Sequence, residues 1–308
     1  MSLSSLAVSN HHRAAVSAVR RRRPPAVPGI PSLHRFSSSV HVPTAVGAKP
    51  HGPPPRRSLC RCILGPGGGA LAQDAGATAA VLAGAYSLVL TFDTLTQRNL
   101  IQQSLSRKLV HILSGLLFMA SWPIFSNSME ARYFASLVPL VNCLRLVVNG
   151  FSLATDEGLV KSVTREGNPR ELLRGPLYYV MILILCAIVY WRESPTGVIS
   201  LAMMSGGDGI ADIIGRRFGS QKLPYNQQKS WAGSISMFIC GFVISIGMLH
   251  YFSSLGYFQL DWTMALQRVA LISLVATVVE SLPTTEVLDD NISVPLSSML
   301  MAFWSFGY

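Results

Sequence analysis

From residue 77 onward the chain alternates long apolar stretches with short polar loops. Crossing a bilayer as a helix takes about 20 mostly apolar residues. On that measure the pattern predicts spans near residues 77–95, 109–126, 132–150, 176–192, 196–214, 232–252, 264–282 and 292–306. The fifth and eighth are the weakest by length, so a seven-span bundle is the alternative. Backbone N–H and C=O groups find no water in lipid, so each span must satisfy its own hydrogen bonds as a helix. The expected fold class is all-α: a polytopic membrane helix bundle of about seven or eight transmembrane helices. No repeat of fixed period is visible.

The pattern before residue 77 is different. Residues 1–73 hold ten of the 25 Lys/Arg, ten of the 18 prolines and five of the seven histidines, and no Asp or Glu. Arg20 to Arg23 form a basic run that ends at Pro24-Pro25, and Pro53-Pro54-Pro55 follows later. That proline density prevents a continuous helix, and the segment has too little apolar content for a core. Arg-rich, Ser-rich and acid-free composition reads as an organelle transit peptide. The first ten residues are uncharged and Ser-rich, which favours a plastid over a mitochondrion. The expected organisation is a disordered transit peptide over residues 1–70, cleaved somewhere between Cys60 and Gly76, and a multi-span membrane domain over 76–308.

The formal charge of +10 on its face suggests nucleic acid or anionic lipid, but its distribution argues against a nucleic-acid footprint on the folded part. The first acidic residue is Asp74, and residues 74–308 carry 15 basic and 15 acidic side chains. The excess belongs to the N-terminal quarter. Cys143, Cys186 and Cys240 stand singly in apolar stretches, as small buried hydrophobes do, with no metal or disulfide spacing.

The loops of the membrane domain are unequal. Those after spans one, three, five and seven carry Arg98, Arg107, Lys108, Lys161, Arg165, Arg170, Arg174, Arg216, Arg217, Lys222 and Lys229; the opposite loops carry Arg132, Arg192 and Arg268. Positive residues mark the untranslocated side. The same side receives Glu286, Asp289 and Asp290. One end of the bundle thus concentrates both signs of charge, which an inert anchor does not need.

The richest stretch is Ser205-Gly206-Gly207-Asp208-Gly209-Ile210-Ala211-Asp212-Ile213-Ile214-Gly215-Arg216-Arg217. Asp208 and Asp212 are four apart and share a helix face. Carboxylates at the bilayer edge are costly unless a cation or partner meets them, and the glycines leave room for a ligand to approach the backbone. Lys222 and Lys229-Ser230 follow. Carboxylates for Mg²⁺ beside Lys and Arg for phosphates is what phosphoryl transfer requires. The structural alternative is an Asp212–Arg216 ion pair beside small-residue helix packing.

Other polar positions allow two readings each. Arg107, Lys108 and His111 open span two; cations at a helix N-terminus are unfavourable, which points to an anionic partner or a plain positive-inside anchor. Asn142, Arg145 and Asn149 form one stripe on span three, with Arg145 expected to face the interior and pair with a carboxylate. Glu171, Arg174 and Gly175 precede span four. Glu280 ends span seven, and Asp289-Asp290-Asn291 either caps the next helix or supplies more oxygen ligands. Trp122, Tyr178, Tyr179, Trp191 and Trp231 read as interfacial anchors.

These stretches resemble the CTP-dependent polyprenol kinase family, which includes dolichol kinase, and most closely its plastid branch, the phytol and farnesol kinases of plants. The resemblance rests on Ser106-Arg107-Lys108-Leu109-Val110-His111, Trp122-Pro123-Ile124-Phe125, Glu171 to Tyr179, Gly206 to Phe218, Lys222-Leu223-Pro224, Lys229 to Ser234, Val279-Glu280 and Asp289 to Leu296. It covers residues 77–303. It implies a membrane enzyme that takes phytol or a related prenol from the lipid phase and phosphorylates it, with CTP as donor and Mg²⁺ as cofactor. In plastids this leads to phytyl phosphate and tocopherol. Catalytic roles are expected for Asp208, Asp212 and His111, with the general base left open between a carboxylate and His111. Nucleotide or phosphate contacts are expected from Arg107, Lys108, Gly206, Gly207, Gly209, Gly215, Arg216, Lys222, Lys229 and Ser230. Metal contacts are expected from Asp208, Asp212, Glu280, Asp289 and Asp290. No nucleic-acid partner is expected. Farnesol or geranylgeraniol kinases, and from another class a CTP-dependent lipid-phosphate cytidylyltransferase, are the alternatives. A transporter would predict inverted repeats and broken midplane helices, whereas here the polar groups gather at one end.

Overall fold

The computed structural model describes residues 68–154, 156–164, 167–283 and 289–307. The transit peptide expected over residues 1–70 falls almost wholly outside them, as do Arg165, Glu166 and Glu286. The described residues form an all-α bundle with one small hairpin. Its elements are α1 (Gly68–Gln97), α2 (Gln103–Ala120), α3 (Ala131–Gly150), α4 (Glu157–Val163), α5 (Gly175–Val189), α6 (Pro195–Leu201), α7 (Gly209–Phe218), β1 (Lys222–Leu223), β2 (Asn226–Ser230), α8 (Trp231–Ser254), α9 (Trp262–Ser281) and α10 (Asp290–Phe306).

Among the described residues six segments are long and apolar enough to cross a membrane: Gly68–Gln97, Ala131–Gly150, Pro169–Val189, Pro195–Phe218, Trp231–Ser254 and Trp262–Ser281. Helices α2 and α10, of 18 and 17 residues, pack among them and complete eight helical bodies, one for each expected span. The fifth, expected to be weak, is continuous: α6 passes through a π-helical stretch, Ala202–Asp208, into α7. This segment is the centre of the bundle. Of its most apolar stretch 78% is buried, against 11% for α1. Helix α1 therefore lies on the periphery, and its Tyr86, Val89 and Leu90 are exposed.

Small residues let the central helices approach closely. Gly207 lies against Gly241, and Gly215 against Gly233. A Cβ on Gly241 would fall 2.6 Å from Met203 Sδ, so the α8 backbone sits directly on the π-helical stretch. Helix starts are fixed by side-chain caps: Ser230 Oγ accepts from Gly233 N, Asp261 Oδ1 from Thr263 N and Met264 N, and Asp289 Oδ1 from Asn291 N. The hairpin β1–β2 holds the only strands among the described residues.

Four expectations are corrected here. Trp122, Trp191 and Tyr179 are buried rather than interfacial, the two tryptophans packing at 5.1 Å between ring centroids; Trp231 alone of these is clearly exposed. Arg192, counted among loop charges, is 2% exposed. Its guanidinium donates to the carbonyls of Trp122, Phe125 and Ser126 and to Asn127 Oδ1, so it closes the turn after α2. Arg145 does pair with a carboxylate, Asp156, but both side chains are about two-fifths exposed rather than interior. The first helix also begins before residue 77. Asp74 is buried and accepts from Ser126 N, Ser126 Oγ and Ser128 Oγ.

Candidate functional site

The charged ends of five elements meet at one end of the bundle. Helix α2 supplies Lys108 and His111, and the π-helical stretch and α7 supply Asp208 and Asp212. Lys229 comes from β2, Glu280 from the end of α9 and Asp290 from the start of α10. The hairpin is pinned to α9 by Asn226, whose Nδ2 donates to the Ser281 and Leu282 carbonyls, and by Tyr225, whose hydroxyl meets Ser281 Oγ at 2.9 Å. That anchoring puts Lys229 beside Glu280. The Asp289 cap fixes where α10 begins and so aims Asp290 at the same point.

Ionic contacts interleave the two signs. Lys108 Nζ lies 3.8 Å from Asp208 Oδ2 and 3.7 Å from Asp212 Oδ2. Arg216 Nε reaches Asp212 Oδ1 at 3.0 Å. Lys229 Nζ bridges Glu280 and Asp290, the latter at 2.7 Å. Burial alone would lower the Lys229 pKa, but Glu280, Asp290 and Asp208 together outweigh it and hold the ammonium above its ordinary value.

Asp208, Glu280 and Asp290 each present a carboxylate oxygen, and these oxygens lie within 4.8 Å of one another. Glu280 Oε2 and Asp290 Oδ1 are buried without a hydrogen-bond partner, and Asp212 Oδ2, also without one, has the Lys108 ammonium 3.7 Å away. Such oxygens are costly to leave bare, and an all-oxygen set is the preference of a hard divalent cation. The donor chemistry and the orphaned oxygens therefore fit Mg²⁺. Of the five expected metal contacts the structure brings these three together. Asp212 stands one helical turn along, held by Lys108 and Arg216. Asp289 faces Asn291 as a helix cap.

His111 packs against the Tyr179 ring, the ring centroids 4.1 Å apart and the planes tilted by 37°. Tyr179 donates its hydroxyl to the His111 carbonyl at 2.8 Å and also meets Ser114 and Ser205. The Met204 carbonyl engages the imidazole, while Nε2 is buried with no hydrogen-bond partner. The ring is thus fixed with one nitrogen committed and the other buried and unpartnered, in a residue that lines the cavity.

That cavity has a volume of about 2130 Å³. Its polar end holds Arg107, Lys108, His111, Asp208, Asp212, Arg216, Lys222, Lys229, Ser230, Glu280, Asp289 and Asp290. It continues into an apolar slot walled by Val81 and Leu88 of α1, Val138 and Val141 of α3, and Val180 and Leu183 of α5. The expected glycines divide. Gly215 lines the cavity. Gly206 faces Ile244, Gly207 faces Gly241, and Gly209 faces Ile112; the space their missing side chains leave is filled by helices, not open to a ligand. Ser230 is committed as the α8 cap. Sequence reasoning missed Tyr179 as the support of His111 and the apolar slot itself. The Tyr178-Tyr179 pair was the available signal for the first.

Fold and site together define a polytopic membrane protein whose one charged end, with a buried carboxylate cluster that could hold a divalent cation, opens onto an apolar slot. No family model and no solved structure matches the chain. Curated proteins do. A probable phytol kinase 1, chloroplastic, of Glycine max is 63% identical over 300 residues, covering 97% of this chain and 95% of the relative. Phytol kinase 1, chloroplastic, of Arabidopsis thaliana is 66% identical over 253 residues, covering 82% and 83%. A probable phytol kinase 2, chloroplastic, of Oryza sativa subsp. japonica is 42% identical over 246 residues, covering 80% and 81%. The chain belongs to the chloroplastic phytol kinase family.

Proposed function

We infer that this chain is a phytol kinase of a plastid membrane, which transfers the γ-phosphate of CTP to the hydroxyl of phytol and yields phytyl phosphate for tocopherol biosynthesis. The observation that carries the reading is the juxtaposition of a carboxylate–ammonium cluster with an apolar slot in one cavity, in a chain 66% identical to a phytol kinase. An amphiphilic alcohol and a charged donor have opposite solvent preferences. The cavity offers each its own end and lets them meet at His111 and Asp208.

Asp208, Glu280 and Asp290 would hold Mg²⁺, which supplies charge neutralisation at the donor phosphates. Lys108, Arg107 and Lys229 bind the phosphate oxygens and offset charge that grows in the transition state. Lys222 and Arg216 at the cavity rim contribute to nucleotide attraction. His111 Nε2 accepts the proton of the alcohol as its oxygen attacks the γ-phosphorus, and the bond to the β-phosphate oxygen breaks to release CDP. Tyr179 holds the imidazole in place for that transfer. Residues 1–70 act as the chloroplast transit peptide, and the membrane kinase domain follows.

The test is the purified full membrane domain in detergent with a panel of prenols and nucleotides, using CTP labelled at either the α- or the γ-phosphate. Transfer of γ-label to phytol is the expected result. Transfer of α-label to a lipid phosphate would make the protein a cytidylyltransferase. No transfer to any alcohol, by folded protein, would overturn the reading.

A further inference from the structure

Helix α1 is attached to the bundle mainly at its two ends. Asp74, Ala77 and Thr78 are its only buried residues, all near its N-terminal end. Thr78 donates to the Phe134 carbonyl of α3, and Asp74 binds the turn at Ser126. At the far end Ser106 of α2 reaches the Phe92 carbonyl at 3.4 Å. Between these ties, from Val81 to Phe92, the helix lines the cavity without burying a residue. At 1.5 Å per residue that stretch is about 16 Å long. Across it, α3 contributes Val138 and Val141, and Val141 is 52% exposed. The gap is thus closed where Thr78 meets Phe134 and stands open beside the membrane-facing surface further along. Gly84 lies midway, lines the cavity, and a Cβ built on it meets nothing within 4 Å.

We propose that the slot between α1 and α3 is where the isoprenoid chain of the alcohol binds, that it is reached sideways from the lipid, and that Gly84 keeps it open. The inference rests on the prenol kinase reading and adds the location of the chain and its route. Two arguments commit the slot to this occupant. It is continuous with the polar end through the level of His111, so an amphiphile with its hydroxyl at the imidazole lays its tail along α1. Its walls are largely apolar, with Tyr86 and Phe92 beside the aliphatic residues and Asn142 and Arg145 further along α3, and it opens toward lipid, so a branched hydrocarbon reaches it without crossing water. Glycine within a helix costs about 1 kcal/mol relative to alanine; at Gly84 the gain in return is an unfilled passage.

The test uses the full membrane domain and a phytol analogue carrying a diazirine on its chain. Photolabelling followed by peptide mapping should mark α1 between residues 80 and 92 and α3 between 138 and 146, with competition by unlabelled phytol. Gly84→Trp should abolish that labelling and raise KM for phytol at least ten-fold while leaving KM for the nucleotide unchanged. Gly247→Trp is the matched control: Gly247 of α8 also has open space around it and does not line the cavity, so its labelling and KM should stay as in the wild type. Labelling confined to other helices, or a Gly84→Trp protein with wild-type phytol KM, would overturn the proposal. Competed labelling of the slot in a protein that phosphorylates no alcohol would sustain the binding site and defeat the kinase reading instead.

Discussion

Replacing Lys229 by Met removes the one ammonium that bridges Glu280 and Asp290. The carboxylate oxygens of Asp208, Glu280 and Asp290 lie within 4.8 Å of one another. Two like charges at that separation repel by about 3.5 kcal/mol at an effective dielectric near 20. Glu280 and Lys229 are 5% and 19% exposed in their side chains, so solvent screens them little. Breaking a buried pair by removing one partner costs about 3–5 kcal/mol, which in a domain of this size is a Tm fall of roughly 6–20 °C. The loss should be largest in chelator at neutral pH and should shrink as acid protonates the cluster. Mg²⁺ should then raise the Tm of Lys229→Met more than that of the wild type, because the ammonium no longer competes for the same oxygens. The assay is thermal unfolding of detergent-solubilised protein against Mg²⁺ concentration, with Lys222→Met, an exposed lysine of the same hairpin, as the neutral reference. A Lys229→Met protein as stable as the wild type in chelator, with the same response to Mg²⁺, would refute the assignment of this cluster as an ionised cation site.

Asp208→Asn should abolish turnover per folded molecule, and Asp212→Asn should lower it less, since Asp212 lies outside the three-carboxylate cluster; near-wild-type turnover of Asp208→Asn at ordinary Mg²⁺ would return that motif to helix packing. Arg192→Leu leaves three buried carbonyls without their charged donor and should destabilise the fold by about 3 kcal/mol or more, with Arg192→Lys restoring only part because an ammonium lacks the fork; an unchanged Tm for Arg192→Leu would contradict the clamp. A chain beginning at Gly68 should be active, whereas one beginning at Ala75 loses the Asp74 hydrogen bonds and should unfold at lower temperature; equal stability of the two would show those bonds to be dispensable. The hydrogen bond from Arg145 holds the Asp156 carboxyl below its ordinary 3.8. Its stabilisation is complete above that value and disappears as pH falls through the lowered one. With both side chains more than a third exposed, Asp156→Asn should cost under about 1 kcal/mol at neutral pH, measured by Tm at pH 7 and again in acid, where the difference should vanish.

The helical bodies were legible because lipid leaves the backbone no alternative to a helix, so every apolar stretch of sufficient length had to become one. The Asp208–Asp212 face was legible for the same local reason: four residues are one turn, and Lys108 meets both carboxylates. What joins Asp208 to Glu280 and Asp290 is tertiary, and no local pattern carries it. Asp289 and Asp290 are neighbours of identical chemistry. Only the point at which α10 begins makes one a cap and turns the other toward Lys229. Gly206, Gly207 and Gly209 reported correctly that something approaches the backbone, but composition does not say whether a phosphate or a helix does, and here it is a helix. Trp122 and Arg192 were misjudged because a residue at the end of an apolar stretch looks the same whether it meets lipid headgroups or the turn of a neighbouring helix.

The interleaving of charge at the polar end has a physical logic. Asp208, Asp212, Glu280 and Asp290 face Lys108, Arg216 and Lys229 across a largely buried surface. An isolated charge there would bear a desolvation penalty of several kcal/mol, so neither sign can accumulate. A site that must receive both a divalent cation and an anionic donor meets the same constraint from the other direction. Each carboxylate is already paired with an ammonium or guanidinium group of the chain, and on the proposed function each of those cations would become a phosphate ligand once the carboxylate has another partner. On that reading the exchange lets each bound charge meet an opposite one. On the proposed function, this is why Lys108 and Lys229 stand between carboxylates rather than on an open basic patch, and why the two signs could not be divided between the two ends of the bundle.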